Sequence, residues 1–214
     1  MLTRESVLAA AVELADEVGL DAWTMRKLGD KLGVEAMSIY HHVPNKAAIL
    51  DGMVDALFAE IELPTAATEW TEAMRARCES LRDVMVRHRW GVGLMDSRTS
   101  PGPQSLAHHD WVIGRLRAGG FSVAGAGHAF ALLDSYVYGF VLQETALPFD
   151  PTGQAPEALG EVAAAIMADL PRDRLPHFSE LTEHVLRPGY SFSAEFDVGL
   201  DLILDGLRAR RDTW

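Results

Sequence analysis

Apolar residues recur at three- and four-residue intervals along nearly the whole chain, and nowhere alternate long enough to make a convincing strand. That periodicity points to an all-α fold. Near the start, Val7, Leu8, Ala11, Leu14, Ala15 and Val18 share one helical face, opposite Arg4, Glu13, Asp16 and Glu17. Thr3 suits the N-cap of that helix, and Gly19 stands where a left-handed residue would end it. The same reasoning predicts helices over residues 25–32, 36–42, 46–61, 71–89, 106–118, 123–147, 157–170 and 194–210. Residues 91–105, 148–156 and 171–190 read as irregular, being rich in Gly, Pro and Ser or without a clear period. Pro64-Thr65-Ala66-Ala67-Thr68 reads as a hinge, dividing the chain into residues 1–63 and 64–214.

Composition narrows the functions open to such a fold. Apolar residues make up 48% of the 214, enough for a packed core. The net charge of −12 argues against a protein that coats nucleic acid indiscriminately, because such binding sums positive charge. It leaves room for a small DNA-reading unit on an acidic body. Cys78 is the only cysteine, so neither an intrachain disulfide nor a thiolate zinc cluster is expected. Charged residues among the first apolar ones do not suit a signal peptide, and no run approaches the roughly 20 apolar residues of a membrane span. A soluble, cytoplasmic protein with no membrane partner is expected.

The stretch from Thr24 to Val43 carries the most information. Two segments too short to be stable alone meet at Gly33, which supplies a positive φ without a Cβ penalty. Leu28, Leu32, Val34, Ile39 and Val43 form an apolar seam, and Gly29 allows close approach. This is the pattern of a helix-turn-helix, whose second helix enters the major groove. Once the seam is subtracted, Ala36, Met37, Ser38, Tyr40 and His41 remain outward. A hydroxyl can donate or accept there, and a methyl or thioether can touch a thymine methyl. Tyr40, His41 and His42 can donate to phosphates, and Arg26, Lys27 and Lys46 add local cations. Lys46 also opens a helix, where free N–H groups favour a phosphate.

Through Lys46 the acids outnumber the bases, but most lie on the first helix and the loop after it, and none follows Glu35 on the reading helix. Two other readings stay open on residues alone: a helical protein-interaction module, or a small enzyme without DNA binding. The chain has no nucleophile elbow, P-loop or dinucleotide fingerprint, so no catalytic residue and no cofactor is assigned.

The residues resemble the TetR family, particularly its tetracycline-repressor-like branch. The likeness runs through Val18-Gly19-Leu20-Asp21, Thr24-Met25-Arg26-Lys27-Leu28, Leu32-Gly33-Val34-Glu35, Ile39-Tyr40-His41-His42-Val43 and Asn45-Lys46. It continues more weakly at His88-Arg89-Trp90-Gly91, Gly120-Phe121-Ser122, Gly139-Phe140-Val141-Leu142 and residues 196–207. The resemblance implies a homodimer with a three-helix reading head, a connecting fourth helix and a larger effector domain. It implies a ligand-responsive regulator, a repressor released from a palindromic double-stranded DNA operator by a small molecule. Carried over by position, Thr24 and Arg26 would contact the backbone or groove edge, Ala36, Met37 and Ser38 the bases, and Tyr40, His41, His42 and Lys46 the phosphates. Ala36 and Met37 stand where relatives often carry polar groups, so readout there would rest on methyl contacts, Arg26 and DNA shape.

The body offers coarser expectations. Residues 123–147 place Phe130, Leu133, Val137, Phe140 and Val141 inward, and the last helix carries Phe196, Leu200, Ile203, Leu204 and Leu207, with Val198 and Leu202 toward another side. Stripes this broad suit two helices that also bury surface against a second subunit in an intersubunit four-helix bundle. A monomer with both helices deep in its own core is the other arrangement they allow. Leu81, Met85, Met95, Trp111, Phe130, Tyr136 and Gln143 have the mixed chemistry of a small-molecule pocket. Where tetracycline-binding relatives place a metal-holding histidine, this chain reads Leu94-Met95-Asp96, which argues against a tetracycline–magnesium effector. His108 and His109 are neighbours on one helix and point apart, a poor chelating pair, so no metal ligand is assigned.

Overall fold

The computed structural model describes residues 2–65, 68–95, 97–153, 156–168, 172–187 and 189–214, and among these it is all-helical, with no strand. Of the expected hinge, Ala66 and Ala67 lie outside the described residues, as do Asp96, Leu170 and Pro171.

Helix α1 (Arg4–Ala22) opens on a reciprocal cap: Ser6 N–H donates to Thr3 Oγ1 at 3.2 Å, and Thr3 N–H donates to Ser6 Oγ at 2.9 Å. Gly19, at φ +70°, kinks this helix, and one further turn carries it on to Ala22. The helix then ends at Trp23, whose buried indole N–H donates to the Ala11 carbonyl at 3.1 Å and folds the chain back. Helix α2 (Met25–Leu32) follows the expected boundaries and stops at Gly33, φ +67°. Helix α3 (Ala36–Ile39) is shorter than the predicted 36–42. Pro44 disfavours helical geometry at Val43. Residues 40–42 therefore close as turns, with Tyr40, His41 and His42 N–H groups donating three residues back. Helix α4 (Lys46–Glu60) is capped by Asn45, whose Oδ1 accepts from Ala48 N–H at 2.8 Å.

Beyond the link come α5 (Trp70–Arg87), a 3₁₀ turn (Arg89–Gly91), α6 (Val92–Met95), α7 (Pro103–Ala118), α8 (Val123–Ala146), α9 (Pro156–Ala168), α10 (Pro176–Val185) and α11 (Glu195–Arg210). Three of these correct the sequence expectation: α6, which lies within residues 91–105 read as irregular, and then α7 and α10. Helix α7 begins three residues before Leu106, and α10 lies inside a stretch read as irregular. Both start on a proline, which breaks a helix interior but is favoured in the first turn, where its missing N–H costs nothing.

Two apolar clusters organise the chain. The first gathers α1 to α3 around Val7, Leu14, Leu28, Ile39, Ile49 and Met53; the second holds Leu57, Leu81, Leu116, Leu133, Val137, Phe196 and Leu204. Helix α4 belongs to both, giving Ile49 and Met53 to one and Val54, Leu57 and Phe58 to the other. It packs on α1 at one end and α7 at the other. Helix α5 packs on α8, and α8 on α11. The far faces of α8 and α11 expose Val123, Leu132, Leu142, Val198 and Leu202.

Candidate nucleic-acid interface and effector cavity

Helices α2 and α3 approach closely because Gly29 has no side chain: a Cβ there would lie 2.8 Å from the Val34 carbonyl oxygen. Thr24 caps α2, its Oγ1 accepting from Lys27 N–H at 3.2 Å, and is itself exposed. With Leu28, Ile39 and Val43 buried, the remaining side chains of the turn and α3 point outward. Met37 is 71% exposed, Tyr40, His41 and His42 are exposed, and Ala36 and Ser38 are half-buried. Leu32 and Val34 are also half-buried, so the seam is tighter at its Ile39 end. Arg26, Lys27 and Lys46 are exposed and form no ion pair among the described residues. Lys46 Nζ sits 5.2 Å from the centre of the Trp23 ring, which orients the cation at the start of α4. Lys31 turns the other way, pairing with Glu13 at 3.2 Å and Glu17 at 2.8 Å, and so offsets acidic charge of α1. The result is an exposed surface of three free cations, two histidines, a tyrosine and a thioether, of the chemistry that phosphates and groove edges require.

A cavity of about 520 Å³ lies in the body. Helix α4 contributes Asp51, Val54 and Phe58; the α6–α7 connection contributes Arg98 and its neighbours; α7 contributes Ser105 and His109; α8 contributes Phe130, Asp134, Ser135 and Tyr138. Arg98 Nε donates to Asp51 Oδ1 at 2.5 Å. Asp55 Oδ1, one turn further along α4, accepts from Ser105 N–H at 2.9 Å and caps the start of α7. Behind the wall, fully buried Arg77 donates to Asp134 Oδ1 at 2.6 Å and to His108 Nε2 at 3.1 Å. Burial, reinforced by the Arg77 charge, pushes His108 down to about 3, so its ring is neutral and accepts through Nε2.

The structure brings only part of the expected pocket together. Met95 and Phe130 line the cavity. Leu81 and Met85 are fully buried in the body core on α5, and Trp111 packs half-buried against that core, away from the lining. Tyr136 and Gln143 line a separate groove with Glu195, Val198 and Gly199, and Tyr136 Oη donates to the Phe196 carbonyl at 2.8 Å. Helical phase explains this, because positions 130, 134 and 138 share a face of α8 that 136 and 143 do not. Sequence reasoning missed Asp51, Arg98, His109 and Asp134. One signal was present: Asp134 is the only acidic residue of α8 before Glu144. Among the described residues, no group of three or more His, Cys, Asp or Glu is placed to hold a metal ion.

Head and body meet at His88, which is 5% exposed. Its Nδ1 lies 2.7 Å from Asp16 of α1, and its Nε2 lies 3.2 Å from Glu60 of α4. Trp90 Nε1 also donates to Asp16, at 2.6 Å, and Arg87 pairs with Glu60.

With this geometry in hand, comparison with known proteins is specific. Residues 7–53 match bacterial regulatory proteins of the tetR family, and residues 63–211 match the tetracyclin repressor-like C-terminal domain. An HTH-type transcriptional regulator of Saccharopolyspora erythraea is 33% identical over 210 residues, covering 98% of this chain and 86% of that protein. The class A tetracycline repressor from transposon 1721 of Escherichia coli is 32% identical, covering 98% and 92%. The Streptomyces coelicolor TetR family protein ActR, in complex with actinorhodin, superposes with a TM-score of 0.76 at 27% identity, covering 98% of each chain. The chain belongs to the tetR family of bacterial regulatory proteins. It is a ligand-responsive, DNA-binding transcriptional repressor and not an enzyme. No described helix is long and apolar enough to cross a membrane.

Proposed function

We propose that residues 1–63 form the reading head and residues 64–214 the effector and dimerisation body of a homodimer on a palindromic operator. In this reading Tyr40, His41, His42 and Lys46 hold phosphates, Thr24 and Arg26 meet the backbone or groove edge, and Ala36, Met37 and Ser38 face bases. The exposed apolar faces of α8 and α11 pair with their copies as a four-helix bundle, which fixes the distance between the two heads. A small molecule entering the cavity between α4, α7 and α8 is the releasing signal.

The observation that carries this reading is the double membership of α4. The helix that starts with Lys46 also forms a wall of the cavity through Asp51, Val54 and Phe58. Any ligand that moves that wall moves the head with it. ActR has been solved with actinorhodin, and a TetR of Acinetobacter baumannii with minocycline, which supports small-molecule control of the same layout. Linkage requires ligand and operator to weaken each other by the same factor.

The test is a gel shift with fragments from around the gene. Specific binding that weakens steeply with added salt is expected. No binding below micromolar concentration would leave the head as a protein-interaction module.

A further inference from the structure

On the reading of this cavity as the effector site, we propose that it selects an uncharged, ring-bearing molecule whose hydroxyl donates a hydrogen bond to Asp134 beside the ring of His109. Among the described residues, the charges on the cavity wall are already balanced. Asp51 is paired with Arg98, and Asp134 is paired through Oδ1 with Arg77 from behind. A charged ligand would have to displace one of these cations or anions, or be stripped of water without a counter-charge. Asp134 nevertheless keeps an acceptor to spare. Its Oδ2 has no hydrogen-bond partner among the described residues, and its side chain is 17% exposed where it lines the cavity. An ionised carboxylate only accepts, so the missing partner is a donor.

His109 supplies the second element. Its ring centre lies 5.4 Å from that of Phe58 and 5.4 Å from that of Phe130, so the three rings form a set of aromatic walls. Neither ring nitrogen of His109 has a hydrogen-bond partner among the described residues. An aromatic or flat ring fits against these walls, and its hydroxyl can then serve the free acceptor of Asp134 and the imidazole together.

The full-length protein is titrated, by fluorine NMR, with para-fluorophenol, para-fluoroanisole, para-fluorobenzylammonium and para-fluorobenzoate. The phenol should bind at least about tenfold more tightly than the anisole, the ratio expected of one added hydrogen bond to an ionised acceptor, and more tightly than either charged probe. Asp134→Asn should bring the phenol-to-anisole ratio close to one, whereas His109→Leu, which removes an aromatic wall, should weaken phenol and anisole alike. Asp134→Asn removes the partner of buried Arg77, so its fold is checked by circular dichroism, and His109→Leu carries the test if that variant is unfolded. Preference for a charged probe, equal binding of phenol and anisole, a ratio unchanged in folded Asp134→Asn, or probe affinities unchanged in His109→Leu overturns the proposed chemistry while leaving the cavity as the effector site. If no probe binds, or if binding survives filling the cavity by Ala131→Trp, the effector-site reading itself falls.

Discussion

Nδ1 of His88, on the body, lies 2.7 Å from Oδ1 of Asp16, on the first helix of the reading head. The contact is buried on the histidine side and is reinforced by the indole of Trp90 on the same carboxylate. It ties α1 to the start of the body, while Nε2 of the same ring reaches Glu60 on α4. One side chain thus spans α1 and α4.

His88→Ala should therefore loosen the junction as well as destabilise the chain. A loss of about 1–3 kcal/mol is expected for hydrogen bonds to charged groups left without a partner. Urea unfolding measures the loss, and amide exchange in α1 reports the loosening. Unchanged exchange in α1 would show that Asp16 and Glu60 hold the head without the histidine.

Lys46→Ala should weaken binding to every duplex by a similar factor and lower the salt slope by about one. Ser38→Ala and Met37→Ala should instead alter the ranking of operator variants. Fluorescence anisotropy over a salt series with two operators separates the effects, and a sequence-dependent loss for Lys46→Ala would reassign it to base contact.

His108 makes stability fall in acid. Its ring is pushed from 6.5 to about 3 in the folded state, so between those values the unfolded chain takes up a proton that the folded one refuses. Its contribution is present above 6.5 and is lost as the pH falls toward 3. His108→Gln keeps an acceptor for Arg77 without the titrating ring. The slope of unfolding free energy against pH should then flatten by about 1.4 kcal/mol per unit in that window. Parallel slopes for the two proteins would mean that the ring titrates alike folded and unfolded.

The exposed apolar side of α11 predicts an oligomer. Leu202 is 71% exposed and Val198 lies one turn before it. Leu202→Glu should convert a dimer to a monomer in light scattering at micromolar concentration, with the helical content retained. A wild type that already scatters as a monomer would remove the bundle from the proposed function.

The reading head was the most legible part of the sequence, because its constraints are local. Gly33 must adopt positive φ, Thr24 and Asn45 must cap, and Ile39 and Val43 must be buried wherever the chain goes next. The last turn of α3 escaped because Pro44 acts on it from outside the helix. The cavity was hardly legible. Its wall is assembled from α4, α7 and α8, so membership depends on the rotation of each helix in the packed body, which apolar composition does not encode. Leu81 and Met85 have the chemistry of a pocket but point into the core, whereas Asp134, an acid in an apolar helix, marked the cavity and went unread.

The shared helix has a mechanical consequence. Residues 49 and 53 of α4 are clamped in one cluster and 57 and 58 in the other, with less than two turns between the clamps. Inserting one residue between them would twist the far end by about 100°, enough to turn an operator-facing surface away from the duplex while leaving each cluster free to assemble. The helix behaves as a short drive shaft keyed at both ends, and its length in residues is as much a part of the signal as any side chain it carries.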